Sequence, residues 1–225
     1  MGRMERFEQN MLKLTEEELI FINNVTKGPA PFGVFLKYPA WKDTGKLEEE
    51  LLGSLMEKEI LDAGKKITGY GMIPLLLWEE YRNADRHLVL NQAVFAVLPD
   101  GRLTGVRKIG KDYYLTTGRG GELVFELLKQ SPFLRGGEKE GEHYASRRLS
   151  YDEWGRRMRE EDYQVLVAGS YAGYSPEKET AYYWNQEEGW QYDLNKGRER
   201  RLKPRQMRMR LLELFNVREG GTKDE

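Results

Sequence analysis

Cysteine is absent from the 225 residues, which excludes disulfides, thiolate zinc sites, iron–sulfur clusters and cysteine nucleophiles. Histidine occurs only twice, as His87 and His143, too sparsely for a multi-histidine metal site. Neither has an acid or hydroxyl partner at suggestive spacing, so both read as surface or capping residues. Charge of one sign is not in excess. Lys+Arg 36 against Asp+Glu 37 leaves a net charge of −1, and no global field draws the chain toward nucleic acid or an anionic membrane. The longest apolar run, around Met72–Trp78, is far too short to span a bilayer. Met1–Leu14 is charged and lacks the apolar core of a secretory signal, so the expected compartment is the cytoplasm. Phosphate loops, dinucleotide fingerprints, zinc-protease helices and serine nucleophile elbows are missing as well. Gly118-Arg119-Gly120-Gly121 could offer free N–H groups to a phosphate. Without the lysine and hydroxyl of a phosphate loop, it reads as a strand-to-helix turn. Glu79 and Glu80 are helix neighbours that point in different directions, hence a solvated face and not a catalytic pair. The chain reads as a non-enzyme without cofactor or metal.

What remains is enough for a core. At this length about 72% of the unfolded surface can be buried, and aromatics make up 12%. The first element is announced by Leu14-Thr15-Glu16-Glu17-Glu18-Leu19. Thr15 can cap the N–H of Glu18 while Glu18 answers, with Leu14 and Leu19 at the staple positions. A helix should run from there to Val25. Pro29–Pro39, with three prolines, reads as an extended segment or edge strand. Helices are expected over Leu47–Leu61, closed by Gly64, and over Met72–Ala84. The period then changes to two: strands Gln92–Leu98, Arg102–Ile109 and Tyr113–Thr117, turned at Pro99-Asp100-Gly101 and Gly110-Lys111-Asp112. A helix over Gly121–Gln130 follows.

Leu149-Ser150-Tyr151-Asp152-Glu153-Trp154 spells the first box again. Strands follow at Tyr163–Tyr171, Glu179–Asn185 and Trp190–Leu194, then a helix over Pro204–Phe215. The expected architecture is therefore α+β: two pseudo-symmetric halves, each a capped helix, a three-stranded antiparallel meander and a helix, sharing one sheet and core. The boundaries are 1–135, a flexible linker over 136–148, and 149–225, in one compact domain.

Two features suggest a partner. The second meander carries Tyr163, Tyr171, Tyr174, Tyr182, Tyr183, Trp184, Trp190 and Tyr192. Tyr182 and Trp184 face one side of the sheet and Tyr183 the other. Such rings are either cross-strand core pairs or, where a face is left open, interface anchors. The basic run Arg198, Arg200, Arg201, Lys203, Arg205, Arg208, Arg210 could be a solvated helix face, a phosphate-contacting surface or a dock for an acidic partner. The candidate partner-binding set is Tyr171, Tyr182, Trp184, Trp190, Tyr192, Arg205 and Arg208.

The opening Leu-Thr-Glu-Glu-Glu-Leu, the extended Pro31-Phe32 segment, the leucine-rich helix ending near Ile60-Leu61-Asp62, and a meander and helix followed by a second such half carry a resemblance. The layout is similar to the EspG-like chaperones of ESX (type VII) secretion systems and their Firmicutes-type relatives. The resemblance implies a quasi-two-fold, non-catalytic cytoplasmic protein. Such a protein would bind the apolar tip of a helical Trp-x-Gly or LXG-like secretion substrate and keep it soluble for export. A homodimer is compatible with it. The alternative is a nucleic-acid-binding regulator that uses Leu47–Trp78 as a winged-helix-like unit, with the basic C-terminal helix on phosphates.

Overall fold

A computed structural model describes residues 11–38, 44–91, 93–137, 146–160, 162–172 and 175–217, the side chains of 44–46, 169–172 and 175–178 excepted. The N-terminal half begins with β1 (Leu12–Leu14), α1 (Glu16–Val25), α2 (Thr44–Glu57) and α3 (Met72–Asn83). It continues with strands β2 (Arg86–Leu90), β3 (Ala93–Val97), β4 (Arg102–Ile109) and β5 (Asp112–Arg119), then α4 (Gly120–Gln130) and α5 (Pro132–Arg135). The C-terminal half runs β6 (Arg147–Arg148), α6 (Tyr151–Glu160), β7 (Gln164–Ala172), β8 (Ser175–Trp184), β9 (Gly189–Asp193), β10 (Arg198–Leu202) and α7 (Pro204–Leu214). All strands join one antiparallel ten-stranded sheet in the order β1-β5-β4-β3-β2-β7-β8-β9-β10-β6.

That order reads the same from either edge. In each half a short strand precedes the capped helix and closes the outer edge by pairing with the last meander strand: β1 on β5, β6 on β10. The first meander strands of the two halves, β2 and β7, pair in the middle, with Leu88 opposite Ala168. The boxes are built alike. Thr15 Oγ1 accepts from the N–H of Glu18 at 3.2 Å and Glu18 returns to the N–H of Thr15 at 2.7 Å. Ser150 and Glu153 do the same at 3.3 and 2.8 Å. Leu14 and Leu19 are fully buried and Trp154 nearly so, so the staples seal both helix entries.

Alternation along the strands sorts the core into two faces. Phe95, Leu88, Leu166, Tyr182 and Trp184 point to one face, where α4, α5 and α7 supply Leu123, Phe133, Met207 and Leu211. Val94, Ala96 and Val106 point to the other, under Leu19 and Ile22 of α1, Leu55 of α2 and Trp78 of α3. Across the C-terminal half of that second face, Ala181, Tyr183 and Tyr192 lie under Trp154 of α6. Gly120 starts α4 because a Cβ there would stand 2.2 Å from the Phe215 carbonyl oxygen. That strand-to-helix turn is therefore a packed contact. The hairpin at Pro99-Asp100-Gly101 is as expected, with Gly101 at φ 79.

The α+β class and the two-half plan hold, and several details change. Each meander has four strands and not three, because β2 and β10 are added, and β1 and β6 were not anticipated. Pro29–Pro39 forms no strand over its described part, residues 29–38. The helix expected to reach Leu61 stops at Glu57, where Glu59 takes φ 57 and the chain turns back, so Gly64 does not end it. Arg147–Arg148, assigned to the linker, is an edge strand, and residues 138–145, with His143, lie outside the described residues.

Candidate functional site

The aromatic strands are interior. Tyr182 and Trp184 are 7% and 1% exposed beneath α4, α5 and α7, while Tyr183 and Tyr192 are 0% and 1% exposed beneath α6. Trp154 stacks on Tyr192 at 5.3 Å between centroids, and Tyr163 meets Tyr183 edge-on at 5.1 Å. Tyr192 Oη donates to the Leu149 carbonyl at 3.0 Å. Burial raises the Tyr182 and Tyr192 hydroxyls above the ordinary phenol range, as expected where a phenolate would lose its water. Both faces of the second meander are roofed by the chain's own helices, so these rings hold the fold together and are not open to another polypeptide. The alternation reading was right about which rings share a face; whether a face is covered is decided by helices remote in sequence. Trp190 is half-buried, its ring bracketed by the guanidinium groups of Arg147, Arg157 and Arg201 at 5.7, 4.7 and 5.6 Å. The side chain of Tyr171, and Tyr174 altogether, lie outside the described residues.

A buried carboxylate organises that corner. Glu199 of β10 is 1% exposed. It accepts from Arg147 Nε at 2.6 Å, Arg157 Nη1 at 3.1 Å and the Tyr183 hydroxyl. Glu188 holds Arg157 at 3.4 Å and Arg201 at 3.3 Å. A buried charge needs such partners, and these come from β6, α6, β8 and β10. The network therefore latches the capped helix and the edge strand to the sheet.

The basic run is divided between a strand and a helix, and much of it is spent internally. Arg200 donates to Gln191 at 2.6 Å, and Arg210 pairs with Glu213 at 2.6 Å. Arg208 donates to the carbonyls of Leu134 and Gly136 at 2.7 and 2.9 Å. Arg208 is thus a clamp on the end of α5, whereas Arg205 is exposed. The hairpin β2–β3 that would serve as the wing after Leu47–Trp78 is the middle of the large sheet.

His87 corrects the surface reading. It is 6% exposed, lies 2.8 Å from the Tyr81 carbonyl oxygen through Nε2, and packs on the Tyr81 and Phe32 rings. Burial pushes its pKa down, with the Tyr81 carbonyl pulling the other way. Glu79 accepts from the N–H of Lys27 at 3.3 Å, and Glu80 pairs with Arg102 at 2.9 Å. Both carboxylates are tied to neighbouring loops and strands.

The surface feature that sequence reasoning missed is on α3. One side of this helix buries Leu75, Trp78 and Tyr81 against α1 and the sheet. The other side leaves Met72, Ile73 and Leu76 43%, 50% and 52% exposed. Met72 and Ile73 stand four and three residues before Leu76, so each adjoins it on the helix surface. Tyr70 at 56% and Ile67 at 38% precede the helix. Solvent-facing helix positions are ordinarily polar. The run was legible as apolar but not as half-exposed, because apolar residues at nearly every position erase the periodicity. Among the described residues no helix is long and apolar enough to cross a membrane. No family model and no curated protein matches the chain.

Proposed function

We propose that this protein is a non-catalytic cytoplasmic chaperone or adaptor that receives a helical type VII (ESX) secretion substrate of the Trp-x-Gly or LXG type on the exposed face of α3. The observation that carries the reading is the apolar patch of Met72, Ile73 and Leu76, extended by Tyr70 and Ile67. Contiguous apolar surface of this kind marks contact sites, and an amphipathic helix offers the complementary ridge. The two-half sheet, with a capped helix opening each half, agrees with the order of elements that the resemblance to EspG-like chaperones rests on.

The test is co-expression with a Trp-x-Gly or LXG-type helical protein encoded in the same genome, followed by affinity measurement on the purified pair. Each half-exposed Ile or Leu has about 1 kcal/mol of transfer energy left to gain. The double variant Ile73→Ser, Leu76→Ser should therefore bind about 30-fold more weakly. Equal affinity of parent and variant would reject the α3 site.

A further inference from the structure

On the face of the sheet opposite α3, the last turn of α4 borders a cavity of about 320 Å³. Leu90, Ala93 and Arg107 stand in register on β2, β3 and β4, so their side chains share that face. Phe95, two residues along β3, lies on the same face, and Leu127 of α4 completes the apolar lining. The short side chain of Ala93, between Leu90 and Arg107, leaves the space open.

The polar part of the lining is neutral but for one group. Asn91, Gln130 and Gln164 contribute amides, and Arg107 contributes the charge. Asn91 Oδ1 is occupied by the N–H of Val165 at 3.2 Å. Gln164 Oε1 is buried without a hydrogen-bond partner. The terminal torsion of a glutamine is broad, and a half-turn presents the Nε2–H donors in its place. The half-buried guanidinium of Arg107 has neither an ion pair nor a hydrogen bond among the described residues. A cation partly withdrawn from water and lacking a counter-charge favours an anion beside it. The adjoining cavity, which shares Gln130 and Gln164, carries Asp162 and Glu187. Those carboxylates repel an anion, which is thereby confined to the Arg107 end.

We infer that this recess binds a small monocarboxylic acid, its carboxylate on Arg107 and its hydrocarbon body over Leu90, Ala93, Phe95 and Leu127. The guanidinium fork matches a planar carboxylate at two points, and Gln164 supplies a further donor. One cation balances one negative charge: a dianion would keep a charge unmatched, and a neutral apolar molecule would leave Arg107 unanswered. An apolar lining with a few placed polar groups is the usual make-up of a small-molecule site. The volume lies at the lower end of the range for such sites, about 300–1,000 Å³, which limits the body to a compact one. The carbonyl end of α4 borders the same recess and favours cations, so the anion is held by Arg107 and not by the helix. This site stands independently of α3.

The probe is octanoate, titrated at neutral pH into the ¹⁵N-labelled protein. The main-chain amide signals of Leu90, Ala93 and Leu127 and the Nε–H signal of Arg107 should shift saturably. Octan-1-ol, which has the same body without the charge, should bind about tenfold more weakly, as should octanoate to Arg107→Gln. Arg107→Gln should keep the parent's urea midpoint, because the side chain it replaces holds no partner. Butyrate, shorter by four methylenes, should bind on the order of 100-fold more weakly. Ala93→Leu, which fills the recess, should lose binding. Acetyl-alanyl-leucine with a free carboxylate should bind more weakly than octanoate, because its peptide groups find no partners over an apolar floor. The Ile73→Ser, Leu76→Ser protein should bind octanoate as the parent does, which separates this recess from the α3 patch. Unmoved signals, indifference to Arg107→Gln, equal binding of octan-1-ol or butyrate, or loss of binding in the α3 variant would each overturn the assignment. Tighter binding of the dipeptide would also overturn it, giving the recess to a chain terminus.

Discussion

Replacing Trp184 by alanine distinguishes a core ring from an interface anchor. The indole is 1% exposed and packs with Phe133, Leu134, Met207 and Leu211 under α5 and α7. Truncating such a residue removes its transfer energy and leaves a cavity, together about 3–5 kcal/mol. Set against a total stability of about 5–15 kcal/mol, that is at least about a fifth of what holds the chain folded. Trp184→Phe should behave very differently. It loses part of the ring area, but it also deletes a buried N–H that has no partner in the free protein, a relief of about 1–3 kcal/mol. The two terms nearly cancel, so this variant should lie within about 1 kcal/mol of the parent. Urea unfolding followed by far-UV circular dichroism, with the slope checked for constancy, measures both. A Trp184→Ala variant that loses less than about 1 kcal/mol would contradict an interior indole, since only an open, solvated ring could be removed so cheaply.

Other perturbations test other parts of the structure. Glu199→Gln withdraws the charge that faces Arg147 and Arg157. Urea midpoints should fall by the equivalent of about 2–4 kcal/mol, toward the figure for breaking a buried pair. Thr15→Ala and Ser150→Ala should each cost about 1 kcal/mol in the same assay. They should add within about 0.5 kcal/mol, because they cap separate helices in separate halves. His87 makes stability pH-dependent in a defined sense. Its folded pKa is depressed by burial, so below about 6.5 the unfolded imidazole takes a proton that the folded one resists. Stability should therefore fall with acidification, by at most about 1.4 kcal/mol per pH unit. In His87→Asn this part of the slope between pH 7 and 5 should disappear while the contribution of the carboxylates stays.

The sequence disclosed those parts of the fold whose causes are local. The two capping boxes need only Thr15 with Glu18 and Ser150 with Glu153, and the Asp100-Gly101 hairpin needs only its own turn residues. The stripes of α4 and α7 are periodic because each helix has one covered side. What stayed hidden depends on distant partners. β10 is Arg-Glu-Arg-Arg-Leu, and its inward residue Glu199 looks like a surface charge until Arg147, Arg157 and Tyr183 arrive to satisfy it. β1 and β6 are three and two residues long, too short for any period to emerge. The ring-rich strands were recognisable as two-sided, but their openness turned on where α4, α5, α6 and α7 dock. For α3 the difficulty ran the other way: Leu75 and Trp78 cannot be told from Ile73 and Leu76 until α1 and the sheet cover one side.

The proposed complex places a helical partner on α3 and leaves the aromatic strands interior. Amide hydrogen exchange on the complex with a Trp-x-Gly or LXG-type substrate reads this directly. Added protection should fall on residues 67–80, with β8 and β9 exchanging as slowly in the free protein as in the bound one. Protection gained along β8, β9 or α7, with residues 67–80 unchanged, would contradict it.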